Sequence, residues 1–183
     1  MSEQILVKHC APTLAGIKTG NLFNFWFDSQ DQLKEIIKQW NSQLNFKGVY
    51  VEALKASNGR ALIYVYREKM LEKDICEGRA KSFLFNYGYR DFSVGKCIST
   101  LKSRIAGSDE FPHEIGLFLG YPLEDVIGFI ENAGENSKCV GCWKVYCNEC
   151  EAIKLFARFK RCKEVYTRLF NNGRSIEQLA IAV

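Results

Sequence analysis

The pattern of hydrophobic and polar positions predicts both helices and strands. Apolar residues recur at helical spacing after Ser29, a good N-cap with a glutamine three residues later, so a helix is predicted over about 30–44. Residues typical of strands fill 48–56 and 60–67, and Asn58-Gly59 between them favours a tight turn. The chain therefore combines an amphipathic helix with an antiparallel hairpin.

The remaining segments complete an α+β pattern. Further helices are predicted over 68–87 with a break near Gly78, over 94–105 with an end at Gly107-Ser108-Asp109, over 152–170, and after Ser175. Short strands are predicted over 5–10, 21–27 and 143–146. We therefore expect about six helices packed on a small, mostly antiparallel sheet containing a hairpin near residues 48–67.

The segment 111–132 allows two interpretations. It forms either two short helices with a break at Tyr121-Pro122, or a strand over 113–120 followed by a helix. We favour two helices, because Pro112 suits a first helical turn and the acidic Glu114 belongs near a helix N-terminus.

Length and composition indicate one globular domain, 1–183, in which 47% of residues are hydrophobic and 25% are charged. The N-terminus lacks a basic segment followed by a long apolar run, so we expect no secretory signal. No stretch approaches the roughly 20 apolar residues that span a bilayer, so we expect no membrane partner. We therefore predict a cytoplasmic protein whose thiols are kept reduced.

Two CxxC pairs give the strongest indication of chemistry. They consist of Cys139, Cys142, Cys147 and Cys150. Thiolates at this density suit zinc or an iron–sulfur cluster, although the gap of four residues is shorter than the usual spacing of about 12–20 between zinc pairs. A redox dithiol and ordinary cysteines remain open alternatives. The leading prediction is a metal-binding or redox-sensing module.

A second candidate site combines Cys10 with His113 and Glu114. A catalytic cysteine needs a lowered pKa, which a helix N-terminus or an imidazole supplies, and Cys10 precedes a candidate helix start. If 113–120 were a strand, it would resemble the histidine strand of papain-like hydrolases, with Glu114 on the opposite face from His113. The alternative function is therefore a cysteine-dependent hydrolase or transferase. With His9, the same three residues are also candidate metal or haem ligands.

Charge suggests a third candidate function. Between Lys154 and Arg174 the chain has seven basic residues and one acid, Glu164. Such a basic helix, 154–174, can bind nucleic acid or a phosphate ligand, although it is also typical of a solvated helix face. Gly16 to Gly20 lacks the spacing of a phosphate-binding loop, so we assign it no function.

Three stretches also carry a family resemblance. They are His9 to Gly20, Phe111 to Pro122 and Cys139 to Tyr146, and the second contains Pro112-His113-Glu114 and Leu119-Gly120-Tyr121-Pro122. In these motifs the chain resembles the bacterial domain-of-unknown-function family 3793 over nearly its whole length. The resemblance implies relatives but no reaction. The pair Cys147 and Cys150 lies outside the motif associated with the family.

Overall fold

The computed structural model describes residues 2–107 and 110–182. Its helices are α1 Ser2–Leu14, α2 Gln30–Leu44, α3 Glu68–Cys76, α4 Gly78–Asn86, α5 Val94–Gly107, α6 Ile115–Phe118, α7 Leu123–Glu131, α8 Glu149–Asn171 and α9 Ile176–Leu179. Its strands are β1 Gly20–Trp26, β2 Val49–Ser57, β3 Arg60–Arg67, β4 Cys139–Val140 and β5 Lys144–Val145. The predicted α+β class is confirmed, and no helix in the described ranges is long and apolar enough to cross a membrane.

The central sheet is antiparallel, with the strand order β1-β3-β2. Asn58 and Gly59 both have positive φ in the turn between β2 and β3, as the hairpin prediction required. Helices cover both faces of this sheet. Ile63 and Val65 pack with α1, α2 and α9 on one face, whereas Tyr64 and Tyr66 pack with α3, α4 and α5 on the other.

The predicted strand over 5–10 is wrong, because this segment lies within α1. Its buried side chains recur at helical spacing, from Leu6 and Val7 to Cys10, Ala11 and Leu14. This pattern places one face of α1 in the core, beside the sheet and α8. Packing on that face therefore outweighs the local preference of the apolar run for a strand.

The segment 111–132 forms two helices, α6 and α7, as favoured. The strand interpretation of 113–120 is wrong, so the chain lacks the strand on which the papain-like resemblance depended. Glu77 interrupts the predicted 68–87 helix with an extended ψ of 135°, and its side chain caps α4. The predicted helix end at Gly107-Ser108-Asp109 falls partly on 108 and 109, which lie outside the described residues.

Candidate functional site

The four C-terminal cysteines follow a small hairpin into the longest helix. Cys139 begins β4 opposite Val145 of β5, and Cys142 lies in the turn between the two strands. Cys147 lies between β5 and α8, and Cys150 lies in the first turn of α8. The first CxxC pair therefore lies in the β4–β5 hairpin, and the second pair lies where the chain enters α8.

This arrangement gives no support for the predicted tetrahedral site. Within residues 2–107 and 110–182, no group of three or more His, Cys, Asp or Glu side chains is placed to hold a metal ion. The Cys147 thiol donates to Asp125 Oδ1 at 3.3 Å, and burial together with this carboxylate raises the pKa of Cys147 to about 11. Burial also raises the pKa of Cys139. Zinc and iron bind the thiolate form of cysteine, which a raised pKa disfavours. Metal binding by these cysteines stays a prediction.

Asp125 of α7 anchors this hairpin. Its carboxylate is 2% exposed and accepts hydrogen bonds from Trp143 Nε1 at 2.7 Å, from the Tyr146 amide at 2.8 Å and from the Cys147 amide at 2.9 Å. A buried carboxylate needs such donors to offset its lost hydration. Asp125 therefore fixes the path of the chain from β5 to α8.

The second predicted site places its residues in different surroundings. Cys10 is fully buried on the core-facing side of α1, and burial raises the pKa of its thiol. His113 is exposed and packs edge-on against Phe129, with ring centroids 4.9 Å apart. Glu114 is buried and forms an ion pair with Arg104. Catalysis by Cys10 and His113 stays a prediction. The raised pKa keeps Cys10, the nucleophile of that prediction, in the thiol form.

A cavity that the sequence analysis did not predict lies where four parts of the chain meet. They are α1, the start of β1, α8 and the turn between β4 and β5. It has a volume of about 220 Å³. Its polar lining residues are His9, Lys18, Asn21, Tyr121, Cys142 and Lys163. No acidic residue is found among the described residues that line it. We call it the lysine cavity.

All three stretches that carry the family resemblance contribute to the lysine cavity. The first supplies His9 and Lys18, the second supplies Tyr121, and the third supplies Cys142. The Tyr121 hydroxyl donates to the Cys142 carbonyl at 3.2 Å, and the Tyr121 and Trp143 rings stack with centroids 4.6 Å apart. The second and third stretches therefore hold each other in place beside Lys18.

A glycine permits the close approach of the first and second stretches. Gly120 has a φ of 73°, and a Cβ there would lie 2.7 Å from Thr19 Oγ1. Only glycine adopts this backbone conformation freely and leaves this space empty. The position of Tyr121, the next residue, therefore depends on a backbone contact that no other residue type allows without strain.

Lys18 is the unusual group of the cavity. Its side chain is 6% exposed, its ammonium donates to the Gly20 carbonyl, and its Nζ lies 5.1 Å from the centroid of the Tyr121 ring. Burial, helped by the charge of Lys163 and opposed by Cys10 and Cys142, lowers the pKa of Lys18 to about 7. Both the ammonium and the amine are therefore populated near neutral pH.

This pKa predicts a pH-dependent stability. Between about pH 7 and 10.5 the unfolded chain keeps a proton on Lys18 that the folded chain has released. The free energy of unfolding therefore rises with pH in this window, and this gain is lost as the pH falls toward 7. Measured by urea unfolding, the free energy of unfolding of the wild type should rise by about 1 kcal/mol per pH unit relative to that of the Lys18→Met variant between pH 7.5 and 9.5. A difference that does not change with pH would contradict the assignment, and Lys160→Met on the exposed face of α8 is the control.

The basic helix α8 presents its charges in two directions. Arg158, Lys160, Arg161 and Arg168 are exposed, whereas the half-buried Lys163 turns to the lysine cavity. Binding of nucleic acid by the exposed face stays a prediction. His9, also half-buried at the cavity, stacks on Phe23, and burial with nearby Lys8 and Lys163 lowers its pKa.

Comparison with protein families gives one relationship. The model of a family described as "Protein of unknown function (DUF3793)" matches residues 6–180. No curated protein and no solved structure matches the chain. Because the matched residues span nearly all of it, the chain belongs to domain-of-unknown-function family 3793, as its three motif stretches indicated.

Proposed function

We propose that this protein is a small-molecule binding domain whose ligand is a compact anion, a carboxylate or a phosphate, held in the lysine cavity. The observation that supports this most is a nearly buried lysine beside a second lysine and a histidine, with no carboxylate among the described lining residues. An anion would supply the missing counter-charge.

The surroundings of the other basic residues support this interpretation. Several basic side chains elsewhere in the described ranges pair with carboxylates of the same chain, as Arg104 does with Glu114, Lys102 with Glu52 and Arg79 with Glu124. Lys18 instead donates to a backbone carbonyl, which accepts only one of its hydrogen atoms. The remaining donors suit an oxygen-rich ligand.

The size of the cavity favours a small ligand. About 220 Å³ is less than the roughly 300–1,000 Å³ typical of sites for drug-sized molecules. The nonpolar lining residues Leu22, Leu119 and Phe159 leave room for a short carbon chain beside the charged end. A carboxylic acid of a few carbons or inorganic phosphate therefore fits the described chemistry.

Binding measurements on charge variants test this proposal. Lactate and inorganic phosphate, titrated separately by calorimetry near pH 7, distinguish a carboxylate site from a phosphate site. Lys18→Met and Lys163→Gln should each weaken binding about tenfold or more, because hydrogen bonds to charged groups contribute roughly 1.5–3 kcal/mol. Lys160→Gln, an exposed neutralisation on the same helix, should leave the affinity unchanged. Equal losses in all three variants, or no saturable binding of either anion, would contradict the proposal.

The predicted thiol chemistry needs a separate test. Zinc or iron–sulfur binding by Cys139, Cys142, Cys147 and Cys150 would require their thiolates to converge. Elemental analysis with an absorption spectrum, on protein purified without oxygen or a metal-binding tag, decides this. About one metal per chain that is lost in the Cys139→Ser/Cys142→Ser variant would support a metal module. Metal content that is unchanged in this variant, or is absent, would contradict it.

A further inference from the structure

The position of Lys18 suits covalent chemistry as well as binding. Its side chain is nearly buried, it lines the lysine cavity, and its Nζ is held between the Gly20 carbonyl and the face of Tyr121. A lysine becomes a nucleophile when it is desolvated or lies beside another cation, because both effects favour the amine. Lys18 meets both conditions.

The groups that face Lys18 come from every element around it. Cys10 lies on α1, Cys142 on the hairpin turn and Lys163 on α8, and all three interact electrostatically with the Lys18 side chain. None of them is a carboxylate that would hold Lys18 as an ammonium. A neutral amine that donates one N–H to the Gly20 carbonyl keeps its lone pair for a carbonyl carbon.

We propose that Lys18 forms an imine with a small 2-oxo carboxylic acid whose carboxylate lies against Lys163. The inference rests on the proposed anion site and names its substrate class. The Nζ lone pair adds to the ketone carbon, and the former ketone oxygen takes both amine hydrogens and leaves as water. A C=N bond replaces the C=O bond, so amine and ketone give imine and water, with no oxidant or reductant.

Reductive trapping tests the imine directly. Pyruvate and cyanoborohydride are added to the full chain near pH 7, and the adduct is located by peptide mass analysis. We expect one adduct per chain on Lys18, with the mass of pyruvic acid less one oxygen, formed at least tenfold faster than on any other lysine. The adduct should disappear in Lys18→Arg and persist in Lys160→Arg. Labelling spread evenly over the exposed lysines would overturn the proposal.

A second measurement separates this proposal from the anion site on which it rests. Lactate has the carboxylate of pyruvate but a hydroxyl in place of the ketone, so it can occupy the site without forming an imine. Lactate that binds and blocks trapping of pyruvate at Lys18 would support both proposals. Saturable lactate binding without any trapping would overturn the imine alone. Absence of both lactate binding and trapping would overturn the imine together with the anion site.

Discussion

Replacing Asp125 by alanine is expected to lower the free energy of unfolding by about 3–5 kcal/mol. The substitution removes the acceptor of four hydrogen bonds, from Trp143 Nε1, from the amides of Tyr146 and Cys147 and from the Cys147 thiol. Buried donors without a partner each cost roughly 1–3 kcal/mol. Urea unfolding followed by circular dichroism measures the loss.

The neighbouring acid on α7 provides the control for Asp125. Glu124 forms a solvent-exposed ion pair with Arg79, and such pairs contribute about 0–1 kcal/mol. Glu124→Ala should therefore leave stability nearly unchanged. If both variants lose the same amount, Asp125 does not anchor the hairpin. Because the hairpin places Cys142 at the lysine cavity, Asp125→Ala should also weaken lactate binding.

Replacing Arg67 by methionine is expected to cost about 3 kcal/mol or more of stability. This guanidinium is 2% exposed and donates to the carbonyls of Thr13, Leu14 and Ile181 at 2.5, 2.5 and 2.9 Å. It joins the C-terminal end of α1 to the segment after α9. A cation there also interacts favourably with the helix dipole. Methionine keeps much of the volume but none of the donors.

Arg60, at the opposite end of β3, is the matched control for Arg67. It is exposed, stacks on Trp26 and donates to Asn24 at 2.9 Å. Arg60→Met should therefore cost about 1 kcal/mol or less. Arg67→Lys should recover only part of the loss, because one ammonium cannot reproduce the planar fork of donors. Similar losses for Arg67→Met and Arg60→Met would contradict the proposed role of Arg67.

Elements with strong local determinants could be predicted from the sequence. Ser29 accepts from the Gln32 amide as an N-cap, and Asn58-Gly59 adopts the positive φ of a tight turn. The helix α1 could not be predicted in this way. Its apolar run is short and β-prone and Pro12 lies inside it, so contacts with α8 and the sheet decide its conformation.

The site was harder to predict than the fold. The spacing of the cysteines was visible, but spacing does not say whether four thiols converge, and here they follow a strand, a turn and a helix start. Lys18 has no local pattern that marks it. Its burial depends on tertiary packing, in which residues more than 100 positions away, Tyr121 and Cys142, line the same cavity.

Proton uptake on ligand binding tests the anion site most directly. Lactate is titrated into the protein at pH 8 in two buffers with different heats of ionisation. Because a bound carboxylate favours the ammonium form of Lys18, binding should take up a measurable fraction of a proton per site in the wild type and none in Lys18→Met. Saturable binding with the same heat in both buffers, or no binding, would contradict the account.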